Sequence, residues 1–254
     1  MRNLSLVVNS HSKSSDLWPG FFGELDYYSN NLPSWDKIFL FTSSDSDTLN
    51  LPQNVTSLYY SPSLPYSLQY LSCLRRVKDE YVLICNEDCI PVGNISRDSI
   101  EYVINVLDSS SFSFVKLGRG PERIHHTCFR NLFEIDRYAQ PFFTQQVSIW
   151  KRKSLLAIYT LSPPSYIGRT GGIQQEEIGN NVAKEIGITG LQYFEGWETQ
   201  KGLYHYESSV FPHIATALVG GKWNTQEYPF EMSNFFLKYN IDKSIRGEFK
   251  WQTS

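Results

Sequence analysis

The chain has 254 residues, 41% of them apolar and 19% charged, with 6 Trp, 16 Tyr and 16 Phe, a composition that builds a core and excludes a disordered segment. With 23 Lys and Arg against 26 Asp and Glu the net charge is −3, so no summed positive field draws it to nucleic acid or an anionic membrane. No stretch approaches the roughly 18 uninterrupted apolar residues of a membrane helix, and the first apolar run, Leu4 to Val8, ends at Asn9, so neither a membrane span nor a signal peptide is expected.

The first half alternates strand-like and helix-like segments. Leu4 to Val8 is a short strand; after a polar loop, Leu17, Trp18, Phe21, Phe22, Leu25 and Tyr28 recur at helical spacing, with Asp16 as N-cap and Pro19 in the first turn. Lys37 to Thr42 is a second strand and Thr56 to Tyr60 a third. A helix from Tyr66 carries Leu68, Leu71, Leu74 and Val77, with Arg75, Arg76 and Lys78 in its last turns. Glu80 to Cys85 is almost continuously apolar, the mark of a central strand buried on both faces, and runs straight into Asn86-Glu87-Asp88. Ser96 or Asn94 caps a helix with Ile100, Val103, Ile104 and Leu107 on one face, followed by a strand at Phe112 to Leu117. Beyond Gly118 the pattern loosens: strands at Cys128 to Ile135 and Gln146 to Trp150, a helix from Lys153 to Leu161, another from Ile173 to Ile186, and a Gly- and aromatic-rich tail.

In an open α/β sheet ligands collect outside the carboxyl ends of the strands, where Glu87 and Asp88 would project. Two carboxylates there suit a hard cation, Mg²⁺ or Mn²⁺, which completes its shell with water and phosphate oxygens. Glu176 and Glu177 lie on the helix from Ile173, where Ile178, Val182 and Ile186 bury one face and leave at least one glutamate on another. Trp150, Tyr193, Phe194, Trp197 and Trp223 are flat surfaces for core packing or for a sugar ring. His125 and His126 are adjacent, so on a strand their side chains diverge.

On these segments the chain resembles the GT-A class of nucleotide-sugar-dependent glycosyltransferases. The resembling segments are Leu6 to His11, Asp16 to Phe22, Glu80 to Asp88, Gln145 to Trp150, Gln175 to Ile178 and Gly220 to Trp223, in that order over most of the chain. The class's Asp-x-Asp position falls on Asn86-Glu87-Asp88, which keeps the last acid and has Asn for the first. The resemblance implies a single α/β, Rossmann-type GT-A-like domain with a mostly parallel central sheet flanked by helices. Residues 1–120 would bind the nucleotide-sugar donor and 121–254 a glycan or small-molecule acceptor. Asn9, Ser10, His11, Thr42, Ser43, Asp45, Asn86 and Glu87 would meet the nucleotide, and Lys222 a phosphate. Asp88, Glu87 and His213, with His205 as second choice, would hold Mn²⁺ or Mg²⁺, and Glu177 or Glu176 would serve as base.

The phosphate loop, the dinucleotide glycine fingerprint, the His-Glu-x-x-His helix and the Gly-x-Ser-x-Gly elbow are all missing, which disfavours ATPases, dinucleotide oxidoreductases, zincins and typical α/β-hydrolases. Cys73, Cys85, Cys89 and Cys128 lack paired Cys-x-x-Cys spacing, pointing to reduced thiols and a cytoplasmic location. The expected activity is glycosyl transfer to a hydroxyl. The alternatives are a noncatalytic glycan- or nucleotide-binding protein on the same scaffold, or a sugar nucleotidyltransferase.

Overall fold

A computed structural model describes residues 4–29, 37–44, 51–121, 123–164, 170–201 and 205–250; Asp45 lies outside them. The first half is a run of βα units: β1 (Leu4–Asn9), α1 (Trp18–Tyr28), β2 (Ile38–Ser43), β3 (Val55–Tyr60), α2 (Tyr66–Leu74), β4 (Tyr81–Asn86), α3 (Arg97–Ser109) and β5 (Phe114–Lys116). The second half adds β6 (Ile124–His126), β7 (Leu132–Ile135), β8 (Ser148–Lys151), α4 (Arg152–Leu161), α5 (Thr170–Glu185) and β9 (Gly190–Tyr193). Two short hairpins follow, β10 (Gln200–Lys201) with β11 (His205–Tyr206) and β12 (Leu218–Val219) with β13 (Lys222–Trp223), and then α6 (Pro229–Tyr239).

One sheet carries nine strands in the order β3-β2-β1-β4-β8-β5-β9-β7-β6. Following the pairings across it, seven strands point one way and only β7 and β8 oppose them, so the sheet is mostly parallel as expected. The apolar run of β4 explains its central place. Leu83 and Cys85 face one layer with Leu6, Val8, Phe21 and the α3 stripe Ile100, Val103 and Leu107. Val82 and Ile84 face the other, with Tyr70 of α2, Leu155 and Ile158 of α4 and Ala183 of α5. Period-two alternation thus splits one strand between two cores, and helices cover both faces.

A third cluster lies where the C-terminal segment returns: Leu17, Ile90, Ile214, Ala217, Trp223, Tyr228 and Met232 pack with Phe235 of α6. Close approach of α6 to α1 requires Gly20, whose added Cβ would sit 2.4 Å from the Phe235 ring.

Several local expectations need correction. Asp16 is not the cap of α1: residues Ser12–Leu17 form a 3₁₀ turn capped by the His11 ring, and Asp16 pairs with Arg246. Helix α2 stops at Leu74, so Arg75, Arg76 and Lys78 lie beyond its last turn, although Val77 is still buried. His125 and His126 do lie on a strand, the edge strand β6, and the strand expected from Cys128 begins only at Leu132. The tail contains β9 and α6, neither of which the residue pattern shows. The cysteines are free, Cys73, Cys85 and Cys89 buried and Cys128 exposed. Among the described residues no helix is long and apolar enough to cross a membrane.

Candidate functional site

The carboxyl ends of β1 and β4 lie side by side, Asn9 in register with Asn86. The two amides touch, Asn9 Nδ2 lying 3.4 Å from Asn86 Oδ1, and Asn9 Nδ2 also donates to the Tyr66 hydroxyl at 3.0 Å. Tyr66 passes the chain on to Gln145 Oε1 at 2.7 Å, and the Gln145 backbone N–H donates to Glu176 Oε1 at 2.8 Å. A continuous polar line therefore links the β1 and β4 tips to α5 across the mouth of the sheet. Tyr66 and Gln145 have no assigned part in the residue-based reading; only the folded chain shows them between these motifs.

Glu87 and Asp88 form the turn after β4. Both are half-buried. Glu87 accepts hydrogen bonds from the Ser14 and Ser10 hydroxyls, yet burial, with the neighbouring Asp88 charge, pushes its pKa up to about 8. Asp88 accepts the Leu218 backbone N–H, and burial raises it to about 6. Among the described residues no lysine or arginine pairs with either acid. Two crowded carboxylates without a positive partner are a donor set that fits a divalent cation.

The C-terminal segment is laced to this turn. Val92 N–H bonds Pro212 O at 2.9 Å, Ile214 N–H bonds Ile90 O at 2.8 Å and Ala217 N–H bonds Asp88 O at 3.0 Å, while Pro91 bridges His213. This lacing carries His213 alongside Pro91, three residues beyond Asp88, a juxtaposition that sequence separation hides. Its Nδ1 lies 2.6 Å from Phe211 O and acts there as donor, which leaves Nε2 as the free lone pair. Burial lowers the His213 pKa to about 4, so the ring is neutral and suited to a metal. Among the described residues no three His, Cys, Asp or Glu side chains gather closely enough to hold an ion. An ion here would take one or two protein ligands and complete its shell with water and phosphate, as Mg²⁺ commonly does.

Beside the turn opens a cavity of about 330 Å³, whose walls include Lys116, Arg119, Gln146, Glu176, His205 and His213. Glu87 and Asp88 are not among its walls, whereas His213 and Ala215, on the segment laced to the turn, are. Glu176 is half-buried and burial raises its pKa, with Lys116 opposing the rise. Glu177 is exposed and is not among these walls. Arg119 lies over two rings that meet edge to face, 4.7 Å from the Phe194 centroid and 4.9 Å from that of Tyr206. Lys116 is almost fully buried and bonds Pro141 O at 3.3 Å. A lysine in the middle of the apolar run Phe112 to Leu117 is a signal the sequence offers and composition-based reading passes over.

The other expected nucleotide contacts divide. Ser10 is buried and accepts the Trp18 indole N–H at 2.8 Å; Ser43, also buried, accepts the Ser12 N–H at 3.2 Å; Thr42 has no exposed surface. Thr42 and Ser43 thus end β2 and Ser10 follows β1, all three buried beneath the surface. His11 holds the 3₁₀ turn through Nδ1, which accepts the Lys13 N–H at 3.1 Å. Lys222 is exposed on the β12–β13 hairpin, outside the cavity walls.

No family model matches the chain, and no curated protein matches it. Solved structures similar to it include the catalytic domain of Drosophila β1,4-galactosyltransferase 7 in complex with xylobiose, at 10% identity over 92% of this chain and 79% of that one, with TM-score 0.49. Residues 1–349 of S. aureus TarS match at 9% identity over 97% and 68%, with TM-score 0.49. The 4-diphosphocytidyl-2C-methyl-D-erythritol synthase of Anaerococcus prevotii matches at 12% identity over 76% and 90%, with TM-score 0.43. At these identities and TM-scores the likenesses do not reach to substrate or chemistry.

Proposed function

We propose that the chain is a GT-A-type glycosyltransferase that moves a sugar from a nucleotide-sugar donor to a hydroxyl of a glycan or small-molecule acceptor. The observation that carries this reading is the acidic turn at the tip of the central strand, laced to His213 and joined by the Asn9–Tyr66–Gln145 line to Glu176 on a cavity wall. The nucleotide lies over the ends of β1 and β2, and the acceptor enters the cavity. The buried thiols suit a reducing compartment, the cytoplasm.

Asp88, with Glu87 or His213 Nε2, would hold Mn²⁺ or Mg²⁺, which when bound neutralises charge on the departing diphosphate. Glu176 takes the acceptor hydroxyl proton. One of its oxygens is fixed by the Gln145 N–H, leaving the other for the acceptor, and its raised pKa makes it a better base than an ordinary carboxylate. Lys116 and Arg119 offer positive charge along the same wall, where phosphate or sugar oxygens pass.

The deciding experiment incubates the protein with a panel of nucleotide-sugars, Mn²⁺ and mixed acceptors. Release of nucleoside diphosphate supports glycosyl transfer. Pyrophosphate released from a nucleoside triphosphate and a sugar phosphate would make it a nucleotidyltransferase, and binding without either product would make it a noncatalytic binder.

A further inference from the structure

A second hollow, of about 390 Å³, lies between the first turn of α3 and the ends of β7 and β9, walled chiefly by Asp98, Tyr102, Arg130, Asn131, Tyr193 and Glu195. It shares no wall residue with the first cavity. The two flank the end of one strand: Tyr193 lines the second hollow, and the next residue, Phe194, lies under Arg119 of the first.

Bonded to the wall residue Glu195 is Trp197, 60% exposed, an unusual position for so large an apolar ring. It is held in place. Its indole N–H donates to Glu195 Oε2 at 2.7 Å, and the other oxygen of the same carboxylate accepts the Tyr193 hydroxyl at 2.9 Å. The turn beneath is fixed by Glu198, only 6% exposed, whose carboxylate accepts the backbone N–H groups of Glu195, Gly196 and Trp197 and the Ser209 hydroxyl. Gly196 makes this turn possible at φ +99°, a left-handed conformation that side chains resist. A buried carboxylate committed to presenting one exposed indole is preorganisation, which lowers the ordering cost of binding.

We propose that this hollow and Trp197 form a carbohydrate-binding site, separate from the cleft, that takes a neutral oligosaccharide. The indole offers a flat face for the C–H side of a pyranose ring. Asp98 and Arg130 present planar acceptors and donors for neighbouring hydroxyls, and among the described residues no ion pair or side-chain hydrogen bond occupies either; Asn131, whose Nδ2 donates to the Tyr193 hydroxyl at 3.4 Å, adds its amide oxygen. Two acids against one arginine on the walls disfavour an anionic chain. The site does not depend on the transfer reaction proposed for the cleft.

The test is isothermal titration of the full chain with neutral tetrasaccharides of cellulose, xylan, chitin and amylose type, with UDP titrated in parallel. The expected result is binding of at least one tetrasaccharide, weakened about tenfold or more in Trp197→Ala and largely restored in Trp197→Phe, with UDP affinity unchanged. An unchanged Tm shows that the exposed substitution leaves the fold intact. Equal tetrasaccharide affinity in wild type and Trp197→Ala, or no binding by the wild type, overturns the proposal. UDP binding lost without loss of saccharide binding would count against the cleft reading alone.

Discussion

Two adjacent glutamates separate at the level of single side chains. Glu176 points to the cavity with one oxygen anchored, whereas Glu177 is exposed on the same helix. Glu176→Gln should therefore slow transfer by about 10²–10⁴-fold while leaving nucleotide affinity near wild type, and Glu177→Gln should be nearly silent; steady-state kinetics beside UDP titration checks both. Because burial raises the Glu176 pKa, the low-pH limb of the wild-type rate profile should sit above the range of an ordinary glutamate. Thiol chemistry gives an independent check of burial. Cys128 is exposed, and burial pushes the Cys73 thiol up to about 11, so at mildly alkaline pH it stays protonated and unreactive. Native maleimide labelling should modify Cys128 and spare Cys73, Cys85 and Cys89 until the chain is unfolded; mass spectrometry reads the sites.

Among the elements, β5 pairs with β8 on one side and with β9 on the other. Gly190 of β9 lies against Phe114 of β5, which stacks on Trp150 of β8 at 4.1 Å. A Cβ at Gly190 would come within 2.1 Å of the Phe114 ring, which Trp150 prevents from stepping aside. Gly190→Ala should cost about 1–3 kcal/mol, seen as a lower urea midpoint at constant m-value. The same region shows where residue patterns stop informing. The run Tyr81 to Cys85 and its acidic turn are legible because burial on both faces needs an unbroken apolar string. Helix α3 is legible because Ser96 caps it and its stripe is regular. Helix α6 is not, since Phe230 and Leu237 are each 80% exposed and blur its period. Nor does any local rule place β8 between β4 and β5, because periodicity fixes which face a strand buries and not its neighbours. The site follows suit: the acids at the strand tip can be foreseen, while Tyr66, Gln145 and Lys116 reach it only through the folded topology.

For the molecule as a whole, ligand and fold should be linked by mass action. UDP with Mn²⁺ at about a hundredfold excess over Kd should raise Tm by about 5–10 °C for a chain of this size. Asp88→Asn should abolish the Mn²⁺-dependent part of that shift while leaving the unliganded Tm near wild type; scanning calorimetry with and without chelator separates the two contributions.

The placing of β8 also bears on biosynthesis. Strand β4 is finished at Asn86, but its antiparallel partner is not supplied until residues 148–151 have been made. During translation the emerging chain therefore carries an open, wholly apolar strand edge, an invitation to intermolecular pairing. Expression of the first 120 residues alone should yield inclusion bodies, and the nascent protein should lean on chaperones until the missing strand slides home.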